Sequence, residues 1–462
     1  MSSVINFSCA GSRGGGPGAA GTAFAVPPGT PAAAKGVVAT PLGSLTIRKW
    51  RFDNGLVVIT VPDAGARSVS YVTTYRVGSR DEDAAAGETG LAHLFEHLMF
   101  RGHPGVDGAN DFDSRIEEVG GSSNAMTAHD FTSYVDDVPP EALARAARLE
   151  AHRMVNLEID AKKLAGERAV VVEERLGTVE DSVDGLLDEM MWFQAFKAHP
   201  YRWPVIGRMQ DIKSVTREKA LAFYRRHYAP RRAVIVIAGR FDEGAALNAV
   251  GDAYARLPAG PDEARTVISP ERAPAAEVRR EIERPVAADR LLIGFPAPAL
   301  GDADRPSYDL LAELLIGGPS SRLYGLLVVD RELASSVDGD VAPTRDPGLW
   351  SVWAQMTKGH QAREAEALIL REIEKVIADL VPVAELTAAQ NRLETAFWRD
   401  LGSSRGRAEA LGEYEVTTGD HRVLIERGAA TARVTPEDLR RVARAYLGSG
   451  TRSVVIAHPK SP

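Results

Sequence analysis

The chain has 462 residues, 44% of them hydrophobic and 26% charged, with a net charge of −8 and a pI near 5.8. That length exceeds one ordinary core and predicts two or more soluble domains, while the acidic balance and the lack of any basic run argue against nucleic acid and anionic membrane surfaces as partners. The single cysteine, Cys9, excludes an internal disulfide framework and any cysteine-ligated zinc site, and no apolar stretch approaches the roughly 18 residues that span a bilayer, so membrane insertion is not expected.

Residues 1–43 are rich in Gly, Ala, Pro and Ser without apolar periodicity, and read as a flexible tail. The start of this tail has neither a basic n-region nor an apolar h-region, and the Ser8-Cys9 pair has poor neighbours for a lipoprotein cleavage site. Compartment stays open: cytoplasmic on the absence of a clear signal, periplasmic if an export signal is missing or atypical.

From Leu45 the texture changes. LTIRKWRF, Asn54-Gly55 and LVVITVP predict a β-hairpin with a tight turn, and VSYVTTYRVGS a third strand. A polar loop, Arg80–Glu88, leads into a helix from Leu91. FDSRIEEVGG reads as a short amphipathic helix ended by Gly120-Gly121, and SSNAMTAHDFTSYVDDVP as one or two strands stopped by Pro139-Pro140. PPEALARAARLEAHRMVN carries helical spacing, and AKKLAGERAVVVEERLGTVEDSVDGLLDEMMWFQAF a longer helical stretch. HPYRWPVIG is a loop, followed by a helix ending in FYRRHY and a buried strand, AVIVIAGRFD. Residues 256–275 hold four prolines and predict a linker. Beyond it the pattern restarts with a strand (RLLIGFPAP) and a helix (SYDLLAELLIGG). The closing helix LRRVARAYL and strand SVVIAHP echo the end of the first half. Two similar domains follow, 44–255 and 276–462.

The chemistry concentrates in Leu91–Gly102, LAHLFEHLMFRG, where His93, Glu96 and His97 spell H-x-x-E-H. On a helix, residues three and four apart share a face, so both imidazoles point one way with Glu96 beside them. Two histidines at this spacing suit a metal, and the acid between them is a candidate general base. Catalytic zinc needs a third protein ligand. GERAVVVEER supplies Glu167 and Glu174, seven apart and therefore on one helix face; Glu173 is the runner-up and reads as an exposed acid. Two isolated histidines on a helix are most often a core or surface pair. Glu96 and the downstream glutamates turn the balance toward metal.

With these residues in view, the chain from about Leu45 onward resembles the pitrilysin family of zinc peptidases, the inverzincins, which includes insulin-degrading enzymes and mitochondrial processing peptidases. NGL near the start, GGSSNAMT, and HPYRWPVIGRMQDI ahead of FYRRHYAP carry the likeness, and Glu174 follows His97 by 77 residues, as the family's spacing requires. The resemblance implies an α+β fold of two similar domains, each a mostly antiparallel mixed sheet flanked by helices, facing each other across an enclosed chamber. It implies one Zn2+ per chain on His93, His97 and Glu174, with Glu96 as general base and Glu167 as a supporting acid of the catalytic set. Ser123, Asn124 and Ala125 match the edge strand that receives a peptide substrate as an added strand; the plainer reading of GGSSNA is a turn and a short solvated strand. His103 and His129 read as lone histidines outside the site.

The second half departs from the pattern. PSSRLYGLLVVDRELASSV, aligned on Ser320-Ser321-Arg322-Leu323, puts Val328 and Ser335 where many relatives carry an arginine and a tyrosine that hold the substrate and the developing oxyanion. Valine has no donor and serine is too short. The reading favours a catalytic subunit whose missing donors come from a paralogous, non-catalytic partner in a heterodimer, with a homodimer as the variant; substitution by Arg331 or Tyr324 in the same chain is the competing account. The alternative of another class is a zinc-free structural subunit, like the core proteins of respiratory complexes.

Overall fold

The computed structural model describes residues 31, 33–101, 112–262, 268, 271, 276–448 and 450–460. Its strands fall into two sheets with the same wiring. The first contains β1 (Ala34–Leu42), β2 (Leu45–Phe52), β3 (Val57–Pro62), β4 (Val69–Tyr75), β5 (Ser122–Thr127), β6 (Thr132–Val138) and β7 (Ala233–Gly239), in the order β1-β2-β3-β7-β4-β6-β5. The second contains β8 (Val278–Arg284), β9 (Arg290–Ala297), β10 (Ala334–Val341), β11 (Gly348–Met356) and β12 (Ser453–Pro459), in the order β10-β11-β9-β12-β8. Each sheet has one parallel pair, β3 with β7 and β8 with β12, and is otherwise antiparallel. Reading β3, β7, β4, β6, β5 against β8, β12, β9, β11, β10 reproduces every neighbour and every direction. The two halves are one fold used twice.

The predicted hairpin forms as β2 and β3, with Gly55 at φ +87° in the turn, where a side chain is strained. SSNAMTAHDFTSYVDDV resolves into two strands, the β5–β6 hairpin. The tail expectation for residues 1–43 needs correction: Ala34–Leu42 is a strand, paired with β2 from Ala34–Phe52 to Leu42–Leu45. It lies at the sheet edge, with only Ala34 and Leu42 buried, so its stability comes from backbone pairing and leaves no apolar alternation to read. Of the predicted linker, residues 256–262, 268 and 271 are described and carry no helix or strand. Cys9, Gly102 and His103 lie outside the described residues.

The helices that matter most are α1 (Leu91–Leu98), α2 (Phe112–Glu117), α3 (Leu143–Val155), α4 (Ala161–Arg175) and α5 (Val183–Ala195). The long helical stretch from Ala161 is thus broken. A π-turn over Leu176–Glu180 ends α4, and Ser182 caps α5 by accepting from the Gly185 N–H at 3.1 Å.

Among the described residues the halves pack directly on each other and exchange helices. Leu187, Met191 and Trp192 of α5, a first-half helix, pack on Leu292, Val455 and Ala457 of the second sheet. Conversely Ala408 and Leu411, from the second-half helix Ser404–Thr417, pack on Val72, Val234 and Val236 of the first. Glycines permit both approaches. A Cβ on Gly412 would meet Thr74 Oγ1 at 2.6 Å, and one on Gly294 would meet Met191 Sδ at 2.5 Å. Each sheet is therefore covered on one face by its own helices and on the other by a borrowed one. This explains why β7 is buried throughout and reads as an unbroken apolar run: Ile235 and Ile237 face one core, Val234 and Val236 the other. Charged contacts reinforce the junction, Lys49 with Glu415 and Arg80 with Asp346 at 2.7 Å.

Because Leu411 is fully buried in the first half's core yet belongs to the second half, Leu411→Ala is expected to cost about 2–5 kcal/mol. Denaturant unfolding followed by tryptophan fluorescence should show both halves destabilised in one shared transition.

Candidate metal centre

The α1 sequence LAHLFEHL has two faces. Leu91, Ala92, Leu94, Phe95 and Leu98 enter the first core, which leaves His93, Glu96 and His97 on the other side. At eight residues α1 is too short to be stable alone, so its ends are held from outside. Gly90 precedes it at φ +89°, and a Cβ there would sit 2.5 Å from the Ile206 carbonyl oxygen. The buried Glu82 carboxylate accepts from the Gly90 N–H at 2.9 Å and the Ala92 N–H at 2.8 Å, satisfying two donors of the first turn. Burial pushes the Glu82 carboxyl well above the usual range, and those two N–H bonds act against that rise. Downstream, Tyr134 on β6 donates to the Phe95 carbonyl at 3.1 Å.

The second contributor, α4, starts at Asp160, whose carboxylate accepts from the Lys163 N–H at 2.7 Å. It ends where Arg175 reaches the Gly207 carbonyl at 2.8 Å and the Glu189 carboxylate at 2.8 Å. This brings Glu174 to α1. One atom each from His93, His97 and Glu174 lies within 4.8 Å of the others. Nε2 of His93 is 3.5 Å from Glu174 Oε1, and Nε2 of His97 is 3.3 Å from Glu174 Oε2. Glu167 is buried behind them, Oε2 3.6 Å from His97 Nδ1 and Oε1 2.6 Å from Arg101 Nε. Burial, then the neighbouring His97, lowers the His93 pKa to about 4, so its ring is neutral at pH 7 with a lone pair for a metal. Two imidazoles and one carboxylate form a donor set that suits zinc with a position left over. Glu96 stands beside them; burial raises its pKa, and the Thr127 hydroxyl, which donates to Oε2 at 2.5 Å, opposes that rise.

The other sequence expectations sort cleanly. Glu173 is exposed and outside the group. His129 bonds Ser79 at 3.0 Å and stacks against Trp192 and Tyr201, away from the cluster. Ser123, Asn124 and Ala125 lie on β5, the outer strand of the first sheet, bonded only to β6. Ala125 packs toward the core and the Ser123 hydroxyl is engaged by Asp113, while Asn124 is exposed. Sequence reading missed Glu82, Thr127 and Arg101. Strand alternation could have found Thr127, since Ser123, Ala125 and Thr127 share a face; nothing local marks Glu82, a side chain bonding backbone across a loop. A second ligand-like group, Glu415, Asp420 and His421, is already neutralised by Lys49 on Glu415 and Arg422 on Asp420 at 2.8 Å, and carries no metal inference.

Family models and relatives match most of the chain. The model for insulinase, peptidase family M16, matches residues 57–208, and the model for the peptidase M16 inactive domain matches residues 214–393. An uncharacterized zinc protease of Mycobacterium bovis is 31% identical over 414 residues, 88% of this chain and 92% of that protein. A probable mitochondrial-processing peptidase subunit beta of Arabidopsis thaliana is 25% identical over 404 residues, 85% of this chain and 75% of that protein. The crystal structure of a protease from Helicobacter pylori superposes with a TM-score of 0.84 at 27% identity, covering 89% of this chain and 99% of that one. The fold places the chain among two-domain proteins of the kind these relatives represent. The chain belongs to peptidase family M16, the insulinase family, and residues 214–393 match the domain described as inactive.

Replacing Glu82 by alanine should strip two buried N–H groups of their acceptor and cost about 1–3 kcal/mol. Thermal and denaturant melts of the Glu82→Ala protein check this.

Proposed function

We propose that the chain is a zinc-dependent metalloendopeptidase, with one zinc held by His93, His97 and Glu174 and with Glu96 as general base. The observation that carries it is the convergence of three ligand atoms from two distant helices beside a carboxylate free to take a proton. A zinc ion bound there supplies Lewis acidity and draws the pKa of a water toward neutrality. Glu96 accepts a proton from the attacking water as its oxygen bonds the peptide carbon. It returns that proton to the nitrogen as the C–N bond breaks. Burial strengthens the hold of Glu96 on that proton. Glu167, tied to Arg101, sets a carboxylate oxygen 3.6 Å from His97 Nδ1, a charge that favours a proton on that nitrogen and leaves Nε2 for the metal.

Substrate enters as an extended chain along the free edge of β5, past Ser123, Asn124 and Ala125. Only unstructured segments can add to a strand edge, so peptides and unfolded stretches are the substrates. At the two positions where the family resemblance expects oxyanion donors, this chain carries Val328 and Ser335. Val328 packs against the second core, and the Ser335 hydroxyl donates to the Gln355 carbonyl at 3.2 Å. The contact between the halves leaves the chamber to be closed by another chain: a paralogous non-catalytic subunit in a heterodimer, or a second copy. The relative named as a subunit of a processing peptidase supports this reading.

Glu96→Gln should keep one zinc per chain by elemental analysis and the parental melting behaviour, while peptide hydrolysis disappears. Glu174→Ala should lose the metal. The pure chain alone should cleave unstructured peptides poorly and gain activity with its sister subunit. Full activity of a monomer, insensitive to replacement of Val328 or Ser335, disposes of the partner.

A further inference from the structure

Thr127 is the last residue of β5 and the point where that strand touches the base. Its Oγ1 donates to Glu96 Oε2 at 2.5 Å. Both ends of the contact stand on fixed backbone. Thr127 pairs with Thr132 in the β5–β6 ladder, the Ala128 N–H closes the hairpin on the Phe131 carbonyl at 2.8 Å, and the Thr132 hydroxyl is anchored on the Val77 carbonyl at 2.9 Å. On the other side, Tyr134 holds the carbonyl of Phe95, the residue before Glu96, at 3.1 Å. A hydroxyl has a single proton to donate. Given to Glu96, that proton is not available to a substrate.

We propose that Thr127 is the positioning residue of the general base. The proposal rests on the peptidase reading above. By occupying Oε2, Thr127 leaves Oε1 as the oxygen that receives the proton of the attacking water. A glutamate carboxyl otherwise turns freely about its last torsion, and misalignment of a base by fractions of an ångström is costly in rate. The same strand also offers its free edge to the substrate. One rigid element thus sets both the scissile bond and the oxygen that activates water against it, and binding and base alignment are coupled through β5.

The test compares the full-length zinc-loaded parent with Thr127→Val, which keeps the shape and loses the donor, Thr127→Ala as a second donor-free variant, and Thr127→Ser, which restores the hydroxyl. Glu96→Gln runs alongside. Zinc content and melting temperature are read for each, then kcat and KM on an unstructured peptide. The donor-free variants should keep zinc and fold, lose about ten- to a hundredfold in kcat, and hold KM within about twofold, with Ser recovering most of the loss. Parental kcat in a folded, donor-free variant overturns the assignment. So does a rise in KM alone, which would make Thr127 a substrate contact, or a Thr127→Ser variant as poor as valine, which would make its methyl a packing group. An inactive zinc-loaded parent, or an active Glu96→Gln, instead removes the peptidase reading itself.

Discussion

Everything in the first half serves one contact: two histidines from an eight-residue helix must meet a glutamate that follows 77 residues later in the chain. A helix of that length has little stability of its own. Its apolar face, the Glu82 carboxylate at its first turn and the Tyr134 hydroxyl on its Phe95 carbonyl hold it from three sides. The facing helix α4 is pinned where it matters, at Arg175 beside Glu174. The π-turn that follows redirects the chain immediately after the ligand, so α4 delivers its carboxylate and leaves.

The duplication of the sheet shows how one scaffold carries chemistry in one copy and architecture in the other. The second-half helix Arg305–Ile316 occupies the topological place of α1. It carries no histidine. Arg305 instead binds the carbonyls of Val341 at 2.8 Å and Ala342 at 2.9 Å, fastening the end of β10. The same position that presents His93 and His97 in the first half holds a strand end in the second. The exchanged helices then make the copies inseparable, because each sheet needs an apolar partner on its second face and finds it only in the other half.

Much of this was legible in the residues. The Asn54-Gly55 hairpin, the restart of the pattern after the linker and the H-x-x-E-H face of α1 were visible because each depends on local spacing. So was the pairing of Glu167 with Glu174, two helical turns apart. The strand Ala34–Leu42 was not, since an edge strand held by backbone pairing has no apolar alternation to display. Glu82 was not, since a carboxylate that caps a helix from across a loop leaves no periodic trace. Nor was the helix exchange: neither α5 nor the helix Ser404–Thr417 has a strongly one-sided apolar face, and apolar residues do not name the sheet they will cover.

The sequence by itself therefore determined the donor types, their spacing along each helix and the two-domain, two-sheet plan, because these are consequences of local period and side-chain chemistry. Tertiary structure alone decided that Glu174 is brought from a distant helix to the histidines, that Thr127 bonds Glu96, and that each half lends the other a helix. Those outcomes turn on helix rotation, strand order and close approach at Gly90, Gly294 and Gly412, quantities set by how whole elements pack and not by any one segment of the chain.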